Sequence, residues 1–150
     1  MAQTYSSLYV HLVFSTKDRQ PTLRLDLRDR VWRYLGGIAR EENMKPIEIG
    51  GTADHIHALL SLAPTMAPAT VVKNLKANCS KWINESLGLP SRFERQEGYG
   101  AFSVGCSRID KTVAYIRNQL QHHQKKSFQQ EYLGFLKKHK IEYDERYIWS

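Results

Sequence analysis

The chain of 150 residues has little cysteine: Cys79 and Cys106 stand alone and far apart. The absence of any C-x-x-C pair excludes a zinc knuckle and a dithiol redox motif. Both thiols are expected to be free in a reducing compartment and to pack as small core residues. Long apolar runs are also missing; none approaches the roughly 20 residues that span a bilayer, so no membrane partner is expected. Met1–Ser7 is polar and has no basic stretch followed by an apolar one. No secretory leader is therefore expected, and the expected location is the cytoplasm. Repeats, low-complexity segments and interdomain linkers are lacking too, so residues 1–150 read as one domain with its own core. Acidic residues are outnumbered, 15 against 22 Lys plus Arg, which leaves a net charge of +7. A basic surface attracts polyanions, and nucleic acid is the obvious one.

Ser6–Ser15 (SSLYVHLVFS) is aromatic and β-branched and reads as a strand. Leu23–Glu42 carries Leu27, Val31, Leu35 and Ile38 at helical spacing, weakened toward its end by Gly36 and Gly37. Pro46–Gly51 and Asp54–Leu62 read as the two strands of a hairpin. Pro68 sits where a first-turn proline belongs. Val71, Val72, Leu75, Cys79, Trp82 and Ile83 supply the apolar face of that second helix, with Gly88 and Pro90 as its stop. Gly98–Gly105 reads as turn plus strand and Arg108–Gln124 as a third helix. Ser127 with Gln130 forms a capping box for a fourth helix, containing Tyr132, Phe135 and Leu136. The aromatic tail Ile141–Trp149 is expected to pack down. The order β-α-β-β-α-β-α-α predicts an α+β fold: a ferredoxin-like (RRM-like) antiparallel sheet with helices packed on a face.

His55-Ile56-His57 is the first chemical signal. Side chains alternate along a strand, so both imidazoles project from one face while Ile56 enters the core. Two imidazoles so placed can chelate one divalent ion, although an H-x-H pair is also met as two ordinary histidines. Rival metal motifs fail here. The chain is too short for the TIM barrel of amidohydrolases. The deaminase pattern needs a Glu two residues after its His and a later P-C-x-x-C, and H-E-x-x-H is absent.

On the third helix Ile109, Val113, Ile116 and Leu120 define one buried stripe. At ~100° per residue, Tyr115 lies roughly 130° from its centre, facing away from the main core. Gln119 follows one turn later on the same side, in a sector shared with Lys111, Asn118 and His122. A phenol is a poor nucleophile while protonated. A nearby cation favours the phenolate and polarises a phosphoryl group under attack. His, His and Gln are neutral ligands and would leave the ion its full charge.

Together these pieces resemble the HUH endonuclease superfamily, specifically the single-tyrosine transposases of small bacterial and archaeal insertion sequences. The matching segments are YVHLVFSTK (Tyr9–Lys17), DHIHALL (Asp54–Leu60), EGYGAFSV (Glu97–Val104), YIRNQLQHH (Tyr115–His123) and EYDERYIW (Glu142–Trp149). Arg95 departs from the Trp often found there in the family. The resemblance implies the HUH fold, with Tyr115 as nucleophile and His55, His57 and Gln119 as ligands to the ion. It also implies action on single-stranded DNA with hairpin ends. It further implies a homodimer whose sites take the histidine strand from one subunit and the tyrosine helix from the other. Mg²⁺ is the expected ion and Mn²⁺ an effective substitute. Lys73 and Lys76, on the polar side of the second helix, and Arg117, beside the nucleophile, are the expected DNA contacts.

Three other readings keep the fold. One is a non-catalytic DNA-binding derivative, against which the complete His55, His57, Tyr115 and Gln119 set argues. Another is an RNA-binding module that stacks bases on sheet aromatics, but GYGAFSV lacks the leading basic residue of that signature. The third is a replication-initiator nickase, which usually has more domains.

Overall fold

The computed structural model describes residues 3–87, 93, 94, 98–119 and 126–149, apart from the Arg19 side chain. Four strands form one sheet in the order β2-β3-β1-β4: β1 (Tyr9–Ser15), β2 (Lys45–Gly51), β3 (His55–Ser61) and β4 (Gly100–Val104). Every neighbouring pair is antiparallel. With α1 (Leu25–Glu41) and α2 (Pro68–Ser86) after β1 and β3, this is the ferredoxin-like arrangement expected.

Period-2 alternation splits the sheet residues between two faces. Leu12, Phe14, Ile56, Ala58 and Leu60 point one way and join the main core, where α1 adds Val31, Leu35 and Ile38, and α2 adds Val71, Val72, Leu75, Cys79 and Ile83. His11, Val13, His55, His57 and Phe102 point the other way. That second face is covered as well, by α3 (Ile109–Arg117) and by α4 (Phe128–Lys138), whose Phe128 and Leu136 pack with Val13 and Phe102. Tyr143 and Ile148 of the tail pack against the same cluster, as expected of an aromatic tail. His55 and His57 are fully buried. The RNA-module reading needs an exposed sheet face, and α3 and α4 occupy it.

Two glycines set the geometry of the β2–β3 hairpin. A Cβ on Gly51 would lie 2.2 Å from the His55 carbonyl oxygen, and Gly51 holds φ +152°. A Cβ on Gly50 would lie 2.8 Å from Ile116 Cγ2 and 3.1 Å from the Ile116 carbonyl oxygen, so α3 rests directly on the β2 backbone.

The third helix departs from its expected form. Its regular part ends at Arg117, where Asn118 takes φ −97° and ψ 22°. Ile116 alone of the described apolar stripe is fully buried; Ile109 and Val113 are half-buried. Of the expected polar sector, Lys111 and Asn118 are exposed, but Tyr115 and Gln119 lie against the second face of the sheet, which periodicity within one helix could not reveal. The expected stop at Gly88 and Pro90, and Arg95, Glu97, Leu120, His122 and the rest of the helix to Gln124, lie outside the described residues. The capping box of α4 is present in both halves: Gln130 N–H donates to Ser127 Oγ, and Ser127 N–H donates to Gln130 Oε1.

Candidate functional site

β3 aims both imidazoles beneath α3, and each ring is fixed through its Nδ1. For His55, Nδ1 lies 2.7 Å from Asp54 Oδ1 and 2.9 Å from Thr52 Oγ1, both in the hairpin that Gly51 closes. For His57, Nδ1 lies 2.7 Å from His11 Nε2 on β1. Burial first, then the neighbouring His57, hold the His11 imidazole down at about 3, so that ring is neutral. Tethering of one ring nitrogen is how proteins orient metal-binding histidines. Both Nε2 atoms are thereby turned toward the site.

α3 and α4 bring the remaining groups. Gln119 is 1% exposed, and its amide nitrogen donates to the Tyr115 carbonyl oxygen at 3.2 Å. Its Oε1 is therefore the atom placed 3.0 Å from His55 Nε2. Glu131, on α4, is 4% exposed and divides its carboxylate. Oε1 lies 2.9 Å from His57 Nε2 and 3.9 Å from His55 Nε2, while Oε2 accepts a short hydrogen bond from the Tyr115 hydroxyl. Burial, then the hydrogen bond to Glu131 and its charge, raise the Tyr115 phenol above its ordinary range. The four residues singled out from the sequence, His55, His57, Tyr115 and Gln119, thus meet within one chain.

The donor set suits a divalent cation. His55 has hydrogen-bond acceptors on both sides: the Asp54 carboxylate at Nδ1 and the Gln119 carbonyl at Nε2. A ring so placed needs a proton on each nitrogen or a cation on one. One ligand atom from each of His55, His57 and Glu131 lies within 4.8 Å of the others. The contacts of 2.9 and 3.0 Å match the separation of two ligands at right angles around an ion with bonds of about 2.1 Å.

Sequence reasoning missed two groups. Glu131 had a signal: it sits three residues after Phe128, on the stripe that α4 buries, where an unpaired carboxylate does not belong. His11 had a weaker one, a histidine alternating in phase with Val13 along an apolar strand. Glu131 also alters the charge expected of the site, since the neutral ligand set is joined by an acid.

The basic residues separate. Lys73 is exposed, as expected of the polar side of α2. Lys76 is a correction: it is 6% exposed, one turn after Val72 on the buried stripe. Its ammonium donates to the Gly98 carbonyl and lies 5.5 Å from the Phe14 ring centre. Arg117 is exposed and ion-paired with Glu48 of β2 at 3.0 Å. Among the described residues, no helix is long and apolar enough to cross a membrane.

Comparison with known proteins agrees with this architecture. The chain is 29% identical over 126 residues to the transposases for insertion sequence element IS200 of Salmonella typhimurium and Salmonella typhi, covering 81% of this chain and 82% of each relative. A crystal structure of a putative transposase from Deinococcus radiodurans superposes with a TM-score of 0.62 at 22% identity, over 79% of this chain and 96% of that one. A REP-associated tyrosine transposase bound to a REP hairpin superposes with a TM-score of 0.59 at 12% identity, over 82% of this chain and 73% of that one. The family model described as "Transposase IS200 like" matches residues 4–119, so the chain belongs to the IS200-like transposases.

Proposed function

We propose that this protein cuts and rejoins single-stranded DNA at the ends of an insertion sequence through a covalent phosphotyrosine formed on Tyr115. The observation that carries the reading is the convergence beneath α3 of both His Nε2 atoms, the Gln119 amide oxygen, the Glu131 carboxylate and the Tyr115 hydroxyl. Tyr115 Oη attacks phosphorus and stays joined to the 5′ side of the cut. The bond from phosphorus to the 3′-oxygen breaks, and that oxygen takes a proton from solvent to become a 3′-hydroxyl. The phenol proton passes to Glu131 Oε2, to which it is already hydrogen-bonded. The phosphotyrosine preserves the energy of the phosphodiester, so attack by a second 3′-hydroxyl reseals a strand without ATP.

His55, His57, Gln119 and Glu131 would hold a divalent ion, Mg²⁺ with Mn²⁺ as substitute. When bound, it supplies positive charge to the phosphoryl oxygen and offsets the Glu131 charge that disfavours phenolate. Lys73 and Arg117 would contribute phosphate contacts; Lys76, expected with them, is buried. The substrate would carry hairpins near its ends, a reading supported by the hairpin-bound relative, and the chain would act in the cytoplasm as a homodimer.

The test is incubation with hairpin-bearing single-stranded oligonucleotides and Mn²⁺, then denaturing electrophoresis. A protein–DNA conjugate is expected for the native chain and none for Tyr115→Phe, with DNA binding retained. Conjugate of normal yield in the variant would refute the assignment. A non-catalytic derivative would bind and give no conjugate with either protein.

A further inference from the structure

Beside Tyr115 and His11 lies an open cavity of about 430 Å³, the rest of whose lining the mechanism does not use. Its floor is aromatic. Phe102 of β4 and Phe135 of α4 stack with centres 5.0 Å apart and planes at 19°. Tyr115 meets Phe135 edge-on at 5.7 Å. Arg108, Lys111 and Lys138 also line the cavity, all three exposed, and no carboxylate lines it among the described residues.

We infer that this cavity is a nucleotide subsite, which takes one unpaired base of the strand being cut against Phe135 and its flanking phosphates on Lys111, Lys138 and Arg108. The inference rests on the reading of Tyr115 as nucleophile. A tyrosine that attacks a phosphate must have the adjoining nucleotide within its reach, and this cavity shares Tyr115 as part of its wall. The volume falls in the usual range for small-ligand sites, about 300–1,000 Å³, and exceeds what a bare phosphate needs. Aromatic side chains offer a stacking surface to any base, and a basic rim tracks the backbone. A duplex is not the ligand, because its bases are already stacked and paired; an unpaired strand has both base faces free.

The probe is fluorescein-labelled oligo-dT, measured by anisotropy without metal, together with the same strand carrying 2-aminopurine. Stacking loss at one base is worth on the order of 10-fold in affinity, so Phe135→Ala should weaken binding about that much. Quenching of 2-aminopurine by the native chain should be relieved in the variant. Phe135→Leu keeps an apolar side chain at the same place and should behave like Phe135→Ala if stacking is the cause, with an unchanged melting temperature showing that folding is not. Lys111→Ala and Lys138→Ala should each flatten the slope of log K against log salt by about 0.7, while Lys137→Ala, exposed on the same helix and outside the cavity, should match the native slope. The inference is overturned if oligo-dT does not bind, if Phe135→Leu binds and quenches like the native chain, or if Lys137→Ala and Lys138→Ala behave alike. Conjugate formation with hairpin substrate is a separate readout: conjugate without these effects defeats the subsite alone, and these effects without conjugate defeat the phosphotyrosine alone.

Discussion

Glu131 presents one carboxylate oxygen to His57 and the other to the Tyr115 hydroxyl, and this shared use gives it two separable consequences. As an anion beside two imidazoles it should strengthen cation binding; as a hydrogen-bond acceptor it should hold the phenol in place. Glu131→Gln keeps the shape and removes the charge. Mn²⁺ affinity, read from loss of the free-ion paramagnetic resonance signal, is expected to fall about 10-fold or more, since charge-assisted contacts are worth roughly 1.5–3 kcal/mol. Unchanged Mn²⁺ affinity would show that Glu131 is not a ligand. Cys79 is a quieter case at the same scale. Its thiol is buried and pushed up to about 12 by desolvation, while Cys106 is exposed. The folded state therefore retains the Cys79 proton after the unfolded chain loses its own near 9. Stability from this group is complete below about pH 9 and declines from there toward pH 12. A thiol reagent at neutral pH should label one cysteine in the native protein and two in denaturant; two labelled natively would contradict the burial.

At the scale of elements, the chemistry depends on how two helices are seated. α4 carries Glu131 in its first turn, directly after the Ser127–Gln130 capping box. Ser127→Ala should cost about 1 kcal/mol. That corresponds to roughly 2–4 °C in melting temperature for a chain of this size. Mn²⁺ affinity should fall with it, because the cap fixes the helix that delivers the carboxylate; an unchanged melting temperature would mean the cap contributes nothing. α3 is seated by contact rather than by a cap. Gly50→Ala would drive a Cβ into Ile116, with backbone as well as side chain in the way, and overpacking of this kind costs about 1–3 kcal/mol. These elements were legible in the sequence to different depths. The strand of His55 and His57, the proline start of α2 and the capping box of α4 follow local rules, and all three are present. The seating of α3 was not legible, because a single helix's periodicity reports that one side is apolar but not that Ile116 and Tyr115 both rest on the second sheet face. Lys76 failed for a related reason: a long side chain can occupy a buried position when its ammonium finds a carbonyl and aromatic faces, here Gly98, Phe14 and Tyr99. Glu131 escaped notice because a ligand from a separate helix has no fixed spacing from an H-x-H pair.

For the whole molecule, the decisive feature is that one chain supplies both halves of the site. α3 follows β4 through Gly105 and a single 3-10 turn, Cys106–Arg108, and rests on its own sheet. The resemblance to single-tyrosine transposases implies instead an exchange, with the histidines of one subunit served by the tyrosine of another. The two arrangements differ in what happens when two disabled chains are mixed. On the proposed roles, His57→Ala lacks a ligand but keeps the nucleophile, and Tyr115→Phe keeps the ligands but lacks the nucleophile. If sites form across subunits, a mixed dimer contains one complete site, and covalent conjugate reappears on mixing. If each site forms within its own chain, as in this structure, every site in every dimer is missing one component. The mixture should then yield no more conjugate than either variant alone, even after partial denaturation and refolding together to force subunit exchange. Recovery of conjugate in the mixture would place the working tyrosine on the partner and make the contact between Tyr115 and Glu131 a feature of the resting chain rather than of the reacting one.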